Sequence, residues 1–122
     1  MKNDWLSWFE IPAIDIARAR KFYETIFEVE LEFMDLGVLK MAVFPHGNIG
    51  GAVVQHPEFY LPSDKGILAY LNADPDLDIV LARVKAAGGE VLISKRQISP
   101  EHGYMAVFLD TEGNRLALHS NA

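Results

Sequence analysis

The stretch from Trp8 to Phe27 reads WFEIPAIDIARARKFYETIF, and it predicts a short strand followed directly by a helix. Side chains alternate between the two faces of a strand, so Phe9 and Ile11 share one face of the first segment. Trp8 and Glu10 share the other face. A carboxylate beside a tryptophan on that second face is either in solvent or part of a binding site, and the rest of the chain has to decide between the two.

The helix that follows begins at a typical capping residue. Asp15 can accept hydrogen bonds from the free N–H groups of the first helical turn, which is the usual role of an N-cap. Apolar side chains then recur at intervals of three and four residues, as expected for a helix with one buried face. These residues are Ile16, Ala19, Phe22, Tyr23, Ile26 and Phe27.

The order of elements repeats along the chain. Residues 29–36, 38–44 and 47–55 read as three strands, and residues 57–66 form a linker with two prolines and no periodicity. A strand, a helix that stops near Gly88 and three more strands follow, with DTEGN at 110–114 placed as a tight hairpin turn. The sequence thus predicts an α+β fold with module one at about 1–56 and module two at about 67–122. Neither half would bury its sheet well alone, so 1–122 is expected to form a single domain.

Composition excludes several classes of function. The chain has 122 residues, 50% of them hydrophobic and 23% charged, which is ordinary for a globular protein. Its net charge of −6 and its scattered Lys and Arg residues argue against nucleic acid or an anionic membrane as partner. Without cysteine there are no disulfides and no thiolate metal sites. The first residues lack a signal peptide pattern, and a cytoplasmic location is expected.

The sequence resembles the vicinal oxygen chelate superfamily, which includes glyoxalase I, extradiol dioxygenases and bleomycin-resistance proteins. The resemblance is carried by IPAIDIARARKFYETIF at 11–27, AYLNADPDLDIVLARVKAAGGEV at 69–91 and GYMAVFLDTEGNRLALHS at 103–120. It implies two βαβββ modules that form a curved mixed sheet, or half-barrel, around a central cavity. It also implies a divalent metal in many members, and a homodimer.

The metal-ligand pattern that the resemblance implies can be tried on this chain. The first-strand position falls on Trp8, and its counterpart in the second module falls at about Leu68. The fourth-strand positions fall on Gly51 or Val53 and on Ala117. None of these side chains can coordinate a zinc, iron or nickel ion, which needs imidazole and carboxylate donors. We therefore expect no metal site among these positions and no cofactor. Binding of a divalent metal elsewhere in the cavity is possible but disfavoured.

Two polar residues lie on the same faces as the expected ligand positions, each two residues further along its strand. Glu10 lies two residues beyond Trp8, and His119 lies two residues beyond Ala117, so each shares its neighbour's face. The two are candidates for a catalytic acid–base pair if they come within hydrogen-bond reach. The alternatives are a structural hydrogen-bond network that joins the modules, and plain exposure of Glu10 to solvent. The remaining residues predicted to line the cavity are Trp8, Met41, Gln55, Tyr70, Asn72 and Tyr104.

The sequence favours a protein that binds a small organic molecule in its cavity, and it leaves catalysis open. One alternative is a metal-dependent lyase or isomerase of the glyoxalase type, with a shifted site around Glu10 and His119. Another is a resistance protein that sequesters a drug in an aromatic groove without chemistry. An enzyme predicts a closed polar pocket, whereas a sequestering protein predicts an open, aromatic one.

Overall fold

A computed structural model describes residues 5–122, and it confirms the predicted order of strands and helices. The first module comprises β1 (Trp8–Ala13), α1 (Ile16–Phe27), β2 (Glu32–Leu36), β3 (Leu39–Val43) and β4 (Gly50–Gln55). The second comprises β5 (Tyr70–Asn72), α2 (Leu77–Val84), β6 (Glu90–Ser99), β7 (Gly103–Leu109) and β8 (Arg115–Ser120). The chain is thus an α+β protein with two βαβββ modules.

Each module forms one four-stranded mixed sheet. The strand orders are β1-β4-β3-β2 and β5-β8-β7-β6, with the first strand of each module parallel to its last. The remaining pairs are antiparallel. The sheets are curved and open rather than closed into a barrel. Strands β1 and β5 consequently lie at the edge of their own sheet, each with one side of its backbone unpaired within that sheet.

Helix α1 follows the sequence rules closely. Asp15 is its N-cap, and the carboxylate accepts a hydrogen bond of 3.1 Å from the backbone N–H of Arg18. The helix ends at Glu28, which takes a left-handed conformation with φ 53°. Helix α2 is shorter, at 8 residues. Between residues 5 and 122, neither helix is long and apolar enough to cross a membrane.

One face of each sheet packs against the helices and forms the main core. In the first sheet, Ile11 and Val53 belong to this helix-packed face, and in the second Phe108 and Leu118 do. The two helices also touch, and the rings of Phe22 and Phe108 lie 5.9 Å apart across the modules. Both halves therefore share one core, as expected for modules too small to bury a sheet alone. We call the opposite side of each sheet its open face.

The hairpin at 110–114 makes the turn predicted from its sequence, and it also joins the modules. Gly113 has φ +91°, a conformation that glycine adopts without strain. Asp110 accepts hydrogen bonds from the backbone N–H groups of Glu112 and Asn114 and from the hydroxyl of Tyr23 in α1. Burial, assisted by the charge of Asp110, raises the pKa of the Tyr23 phenol well above its usual 10.0. Tyr23 therefore remains a hydrogen-bond donor at neutral pH.

Glu112 makes a second and larger connection to the first module. Its Oε1 accepts from the backbone N–H groups of Ile14 (2.9 Å) and Asp15 (2.8 Å). Arg18 donates to both carboxylate oxygens, at 2.7 Å through Nε and 3.0 Å through Nη2. Thr111 adds a hydroxyl donor at 2.9 Å. A buried carboxylate of the second module thus satisfies N–H groups at the start of α1.

Candidate functional site

A large cleft runs between the edge strands β1 and β5. Its volume is about 1070 Å³, which is ample for a small organic molecule. Part of the linker, including Leu61, Ser63 and Lys65, forms one wall. The cleft therefore lies at the junction of the two modules, where the unpaired edges of the two sheets approach each other.

The cleft combines an apolar floor with a polar rim. Aromatic and aliphatic side chains from β1, α1, the end of β3 and the second sheet make up the floor: Phe9, Ile11, Phe27, Val29, Phe44, Leu71 and Leu116. The polar side chains on its lining are Glu10, His46, Ser63, Lys65, Tyr70, Asn72, Asn114 and Arg115. This distribution is typical of sites that bury an apolar body and orient it through a few polar contacts.

Glu10 is held in place by two aromatic side chains. The indole Nε1 of Trp8 donates to Glu10 Oε2 at 3.2 Å, and the Tyr60 hydroxyl donates to Oε1. The hydrogen bond to Glu10 raises the pKa of the Tyr60 phenol, with smaller contributions from burial and from the charge of Glu10. Tyr60 therefore stays protonated and stays a donor at neutral pH. The carboxylate is exposed, lies on the open face of the first sheet, and lines the cleft.

His46 lies beside this group. Its ring covers Gly50, where an added Cβ would come within 2.6 Å of His46 Cγ, and it meets the Trp8 ring edge-on at 5.7 Å. Its Nδ1 is 2.8 Å from the carbonyl oxygen of Gly47, which assigns the proton to Nδ1 in the neutral ring. His46 is an exposed loop residue, and it also lines the cleft.

The two catalytic candidates have separate partners. His119 shares the open face of the second sheet with Tyr70 and Asn72, which agrees with the predicted alternation. Its Nε2 bonds to the carbonyl oxygen of His102, whereas Glu10 bonds to Trp8 and Tyr60. Of the residues between 5 and 122 that line the cleft, Glu10 is one and His119 is not.

The other predicted lining residues are divided between the two sides of the sheets. Tyr70 and Asn72 line the cleft. Met41 pairs with Val54 on the open face of the first sheet, away from the cleft lining.

Gln55 and Tyr104 are absent from the lining of the cleft, contrary to the prediction. Gln55 pairs with Ala13 on the helix-packed face, and its Oε1 accepts a hydrogen bond of 2.7 Å from the N–H of Ile16. Tyr104 packs against the main core, with the Lys95 ammonium 4.8 Å from its ring centre. The error for Gln55 arises from register, because Gln55 shares the face of Gly51 and Val53, and that face packs against the helix.

The same register decides which residues occupy the metal-ligand positions implied by the family resemblance. Trp8 pairs with Gly50, so Gly50 lies beside it on the open face, and the expected Gly51 and Val53 face the helix. In the second sheet, Tyr70 pairs with Ala117. Across residues 5–122, no three His, Asp or Glu side chains converge in a way that could hold a metal ion. The donor set in the described part of the chain therefore does not fit the metal of this fold family.

Sequence reasoning missed two of the residues that shape the site. Tyr60 lies in the linker, which has no periodicity from which a direction could be inferred, and it reaches Glu10 from 50 residues away. His46 lies in a loop before a glycine-rich strand. The pair of small residues Gly50 and Gly51 was the available signal, because glycine in a strand often marks a close approach by another group.

Comparison with known proteins agrees with this architecture. Residues 5–118 match the sequence model of the Glyoxalase/Bleomycin resistance protein/Dioxygenase superfamily. A glyoxylase-like domain-containing protein from Didymella fabae is 28% identical over 123 aligned residues, covering 93% of this chain and 91% of that protein.

Solved structures share the fold at low identity. A glyoxalase/bleomycin resistance protein from Albidiferax ferrireducens superposes with a TM-score of 0.74 at 15% identity, covering 98% of this chain and 100% of the other. A glyoxalase-related enzyme from Fulvimarina pelagi gives 0.73 at 14% identity, with coverages of 98% and 89%. At these identities the likeness concerns the fold alone.

Proposed function

Since this chain belongs to the glyoxalase/bleomycin resistance protein/dioxygenase superfamily, we propose that its cleft binds a small organic molecule without the metal ion used by many relatives. The observation that carries the proposal is the 1070 Å³ cleft with an apolar, aromatic floor and a polar rim. The ligand class is a molecule with an aromatic or aliphatic body and at least one polar group. The same open, aromatic cleft agrees with binding or sequestration of such a molecule.

Turnover has weaker support than binding. An acid–base pair would need Glu10 and His119 to reach the same substrate atoms, and their hydrogen-bond partners lie in different parts of the fold. A shifted metal site around the same two residues would need further donors to complete its shell. We therefore place binding ahead of a glyoxalase-type lyase or isomerase reaction.

Filling the cleft should abolish ligand binding. Ala69 lines the cleft beside the main core, and Ala69→Phe would place a ring in the space that the ligand occupies. Compounds found by thermal-shift screening of the wild-type protein are expected to bind Ala69→Phe at least about tenfold more weakly, a loss of about 1.4 kcal/mol. The wild-type affinities are expected to be the same with and without a metal chelator.

Ala82→Phe is the matched control, because it adds the same ring to the exposed surface of α2. This variant should bind the compounds as the wild type does. Both variants are first melted without ligand, so that a change in stability is not taken for a change in affinity. Unaltered binding by Ala69→Phe would contradict the location of the site, and strict dependence on a metal would contradict the proposed mode of binding.

We also infer that the protein is a homodimer, with the apolar linker as part of its interface. Two large apolar side chains of the linker and the residue that follows it are strongly exposed: Phe59 at 79%, Leu61 at 70% and Ile67 at 96%. Such a concentration of exposed apolar surface is typical of an interaction site. Leu61 and Ile67 also line the cleft, so a partner seated there would lie next to the ligand.

Charging the linker is expected to separate the dimer. Light scattering coupled to size exclusion should give the mass of two chains for the wild type and of one chain for the Leu61→Glu, Ile67→Glu double variant. Val38→Glu is the control, because Val38 is 64% exposed at the turn between β2 and β3, outside the linker. A monomeric wild-type protein at micromolar concentration would refute the dimer.

A further inference from the structure

The Glu10 carboxylate carries a negative charge that the structure fixes in position without neutralising it. Its two oxygens accept one hydrogen bond each, from Trp8 and from Tyr60, and both donors are neutral. Every ion pair formed within residues 5–122 involves a different carboxylate. Each carboxylate oxygen has a second lone pair, so Glu10 can still accept hydrogen bonds from a ligand.

The position of Glu10 allows a ligand in the cleft to reach its carboxylate. Among the described residues that line the cleft, Glu10 alone carries a carboxylate. The two cationic side chains on the same lining have other partners: Lys65 pairs with Asp64 at 3.0 Å, and Arg115 donates to the carbonyl oxygen of Gly66 at 3.0 Å. Neither of these two cations forms an ion pair with Glu10, so its carboxylate can accept hydrogen bonds from a cationic group of a ligand.

The surroundings of Glu10 favour an organic cation over a hydrated metal ion. The indole of Trp8 and the phenol of Tyr60 direct their polar edges at the carboxylate, so two aromatic rings lie beside it. Aromatic rings beside a carboxylate attract ammonium groups through charge and through their π faces. A hard metal ion would need several further oxygen or nitrogen donors.

We propose that Glu10, positioned by Trp8 and Tyr60, forms a subsite for the protonated amine of the ligand, whose apolar body lies on the floor of the cleft. This subsite rests on the proposed function, because it names the chemical class of the molecule that the cleft binds. The amine donates N–H hydrogen bonds to the free lone pairs of Glu10. No covalent step is involved.

A pair of probes with the same aromatic body tests the charge preference. 2-Phenylethylammonium and 2-phenylethanol differ in the terminal group, and their dissociation constants at pH 7 can be measured by NMR titration of backbone and indole N–H signals. Because Glu10 is exposed, the charge contribution is moderate, and the ammonium probe is expected to bind about tenfold more tightly than the alcohol. The indole N–H signal of Trp8 should shift with both probes.

Two glutamate variants complete the experiment. Glu10→Gln keeps the size of the side chain and removes its charge, so the tenfold preference for the ammonium probe should fall to nearly one. Glu32→Gln removes an exposed charge from β2, outside the cleft lining, and should keep the preference. Equal binding of the two probes to the wild type, or an unchanged preference in Glu10→Gln, would overturn the amine subsite alone. Absence of any shift in cleft residues with either probe would overturn the cleft as a binding site, and the subsite with it.

Discussion

Replacing Glu112 with Ala is expected to lower the free energy of unfolding by about 2–3 kcal/mol, because it leaves part-buried backbone N–H donors without their acceptor. The Glu112 side chain is fully buried, and its carboxylate accepts from Arg18, from Thr111 and from two backbone N–H groups. Alanine would leave the N–H groups of Ile14 and Asp15 without this acceptor at the entrance to α1. The protein should remain folded at low temperature and melt well below the wild type.

Urea unfolding of Glu112→Ala and of a matched surface variant measures this effect. Glu30→Ala is suitable, because Glu30 is exposed between α1 and β2, and such surface changes cost less than about 0.5 kcal/mol. A loss of less than 1 kcal/mol in Glu112→Ala would show that water or a rearranged side chain replaces the carboxylate. That result would remove Glu112 as the main polar connection between the modules.

The contribution of Glu112 should also depend on pH. Burial alone would raise the pKa of this carboxyl, but hydrogen bonds from Arg18, Thr111 and the backbone outweigh burial and hold it below the usual 4.5. A lowered pKa in the folded state stabilises the protein above the unfolded value and loses that contribution as pH falls through the folded value. The stability gap between wild type and Glu112→Gln is therefore expected to be constant from pH 8 to 6 and to shrink below about pH 4.5. A gap that stayed constant down to pH 3 would contradict this.

Gly103→Ala is expected to destabilise the protein by about 3 kcal/mol or more. Gly103 begins β7 with φ +75°, where a side chain costs about 1–2 kcal/mol. An added Cβ would also overlap the backbone carbonyl oxygen of Ser120, which cannot rotate away as a side chain can. To relieve this overlap, β7 and β8 would have to separate where Tyr104 pairs with Ser120, at a further cost of about 1–3 kcal/mol.

Gly113→Ala separates the cost of the left-handed backbone conformation from the cost of the overlap with the Ser120 carbonyl oxygen. Gly113 also has a positive φ, of +91°, but an added Cβ would meet no heavy atom within 4 Å. This variant should lose about 1–2 kcal/mol, the conformational cost alone. Equal losses for the two variants in thermal or urea unfolding would mean that the overlap with Ser120 is relieved without cost.

The fold could be predicted from the sequence because its signals are local. The cap at Asp15, the apolar stripe of α1 and the turn at Gly113 each depend on a few neighbouring residues, and the structure contains all three. The repeated order of elements then leads to two modules. What these local patterns do not contain is how the sheets are placed relative to each other, and hence where the cleft opens.

The site could be predicted only in part, because it depends on strand register and on distant contacts. Alternation correctly placed Glu10 beside Trp8 on one face, and Tyr70 beside Asn72 on another. Gln55 was misplaced because the register between β1 and β4 cannot be counted from one sequence when a glycine-rich loop intervenes. Tyr60 was missed because an irregular linker gives no period from which its direction follows.

The connection from Glu112 back to Ile14, 98 residues earlier, has a consequence for the order of events during synthesis. On the ribosome, the strand and helix of the first module emerge long before the carboxylate that caps them. Until residue 112 leaves the exit tunnel, the entrance to α1 must rely on water for its hydrogen bonds, and the shared core lacks its second half. The final assembly is thus delayed until the second module has emerged, and the exposed first module is the part that a chaperone would have to protect in the interval.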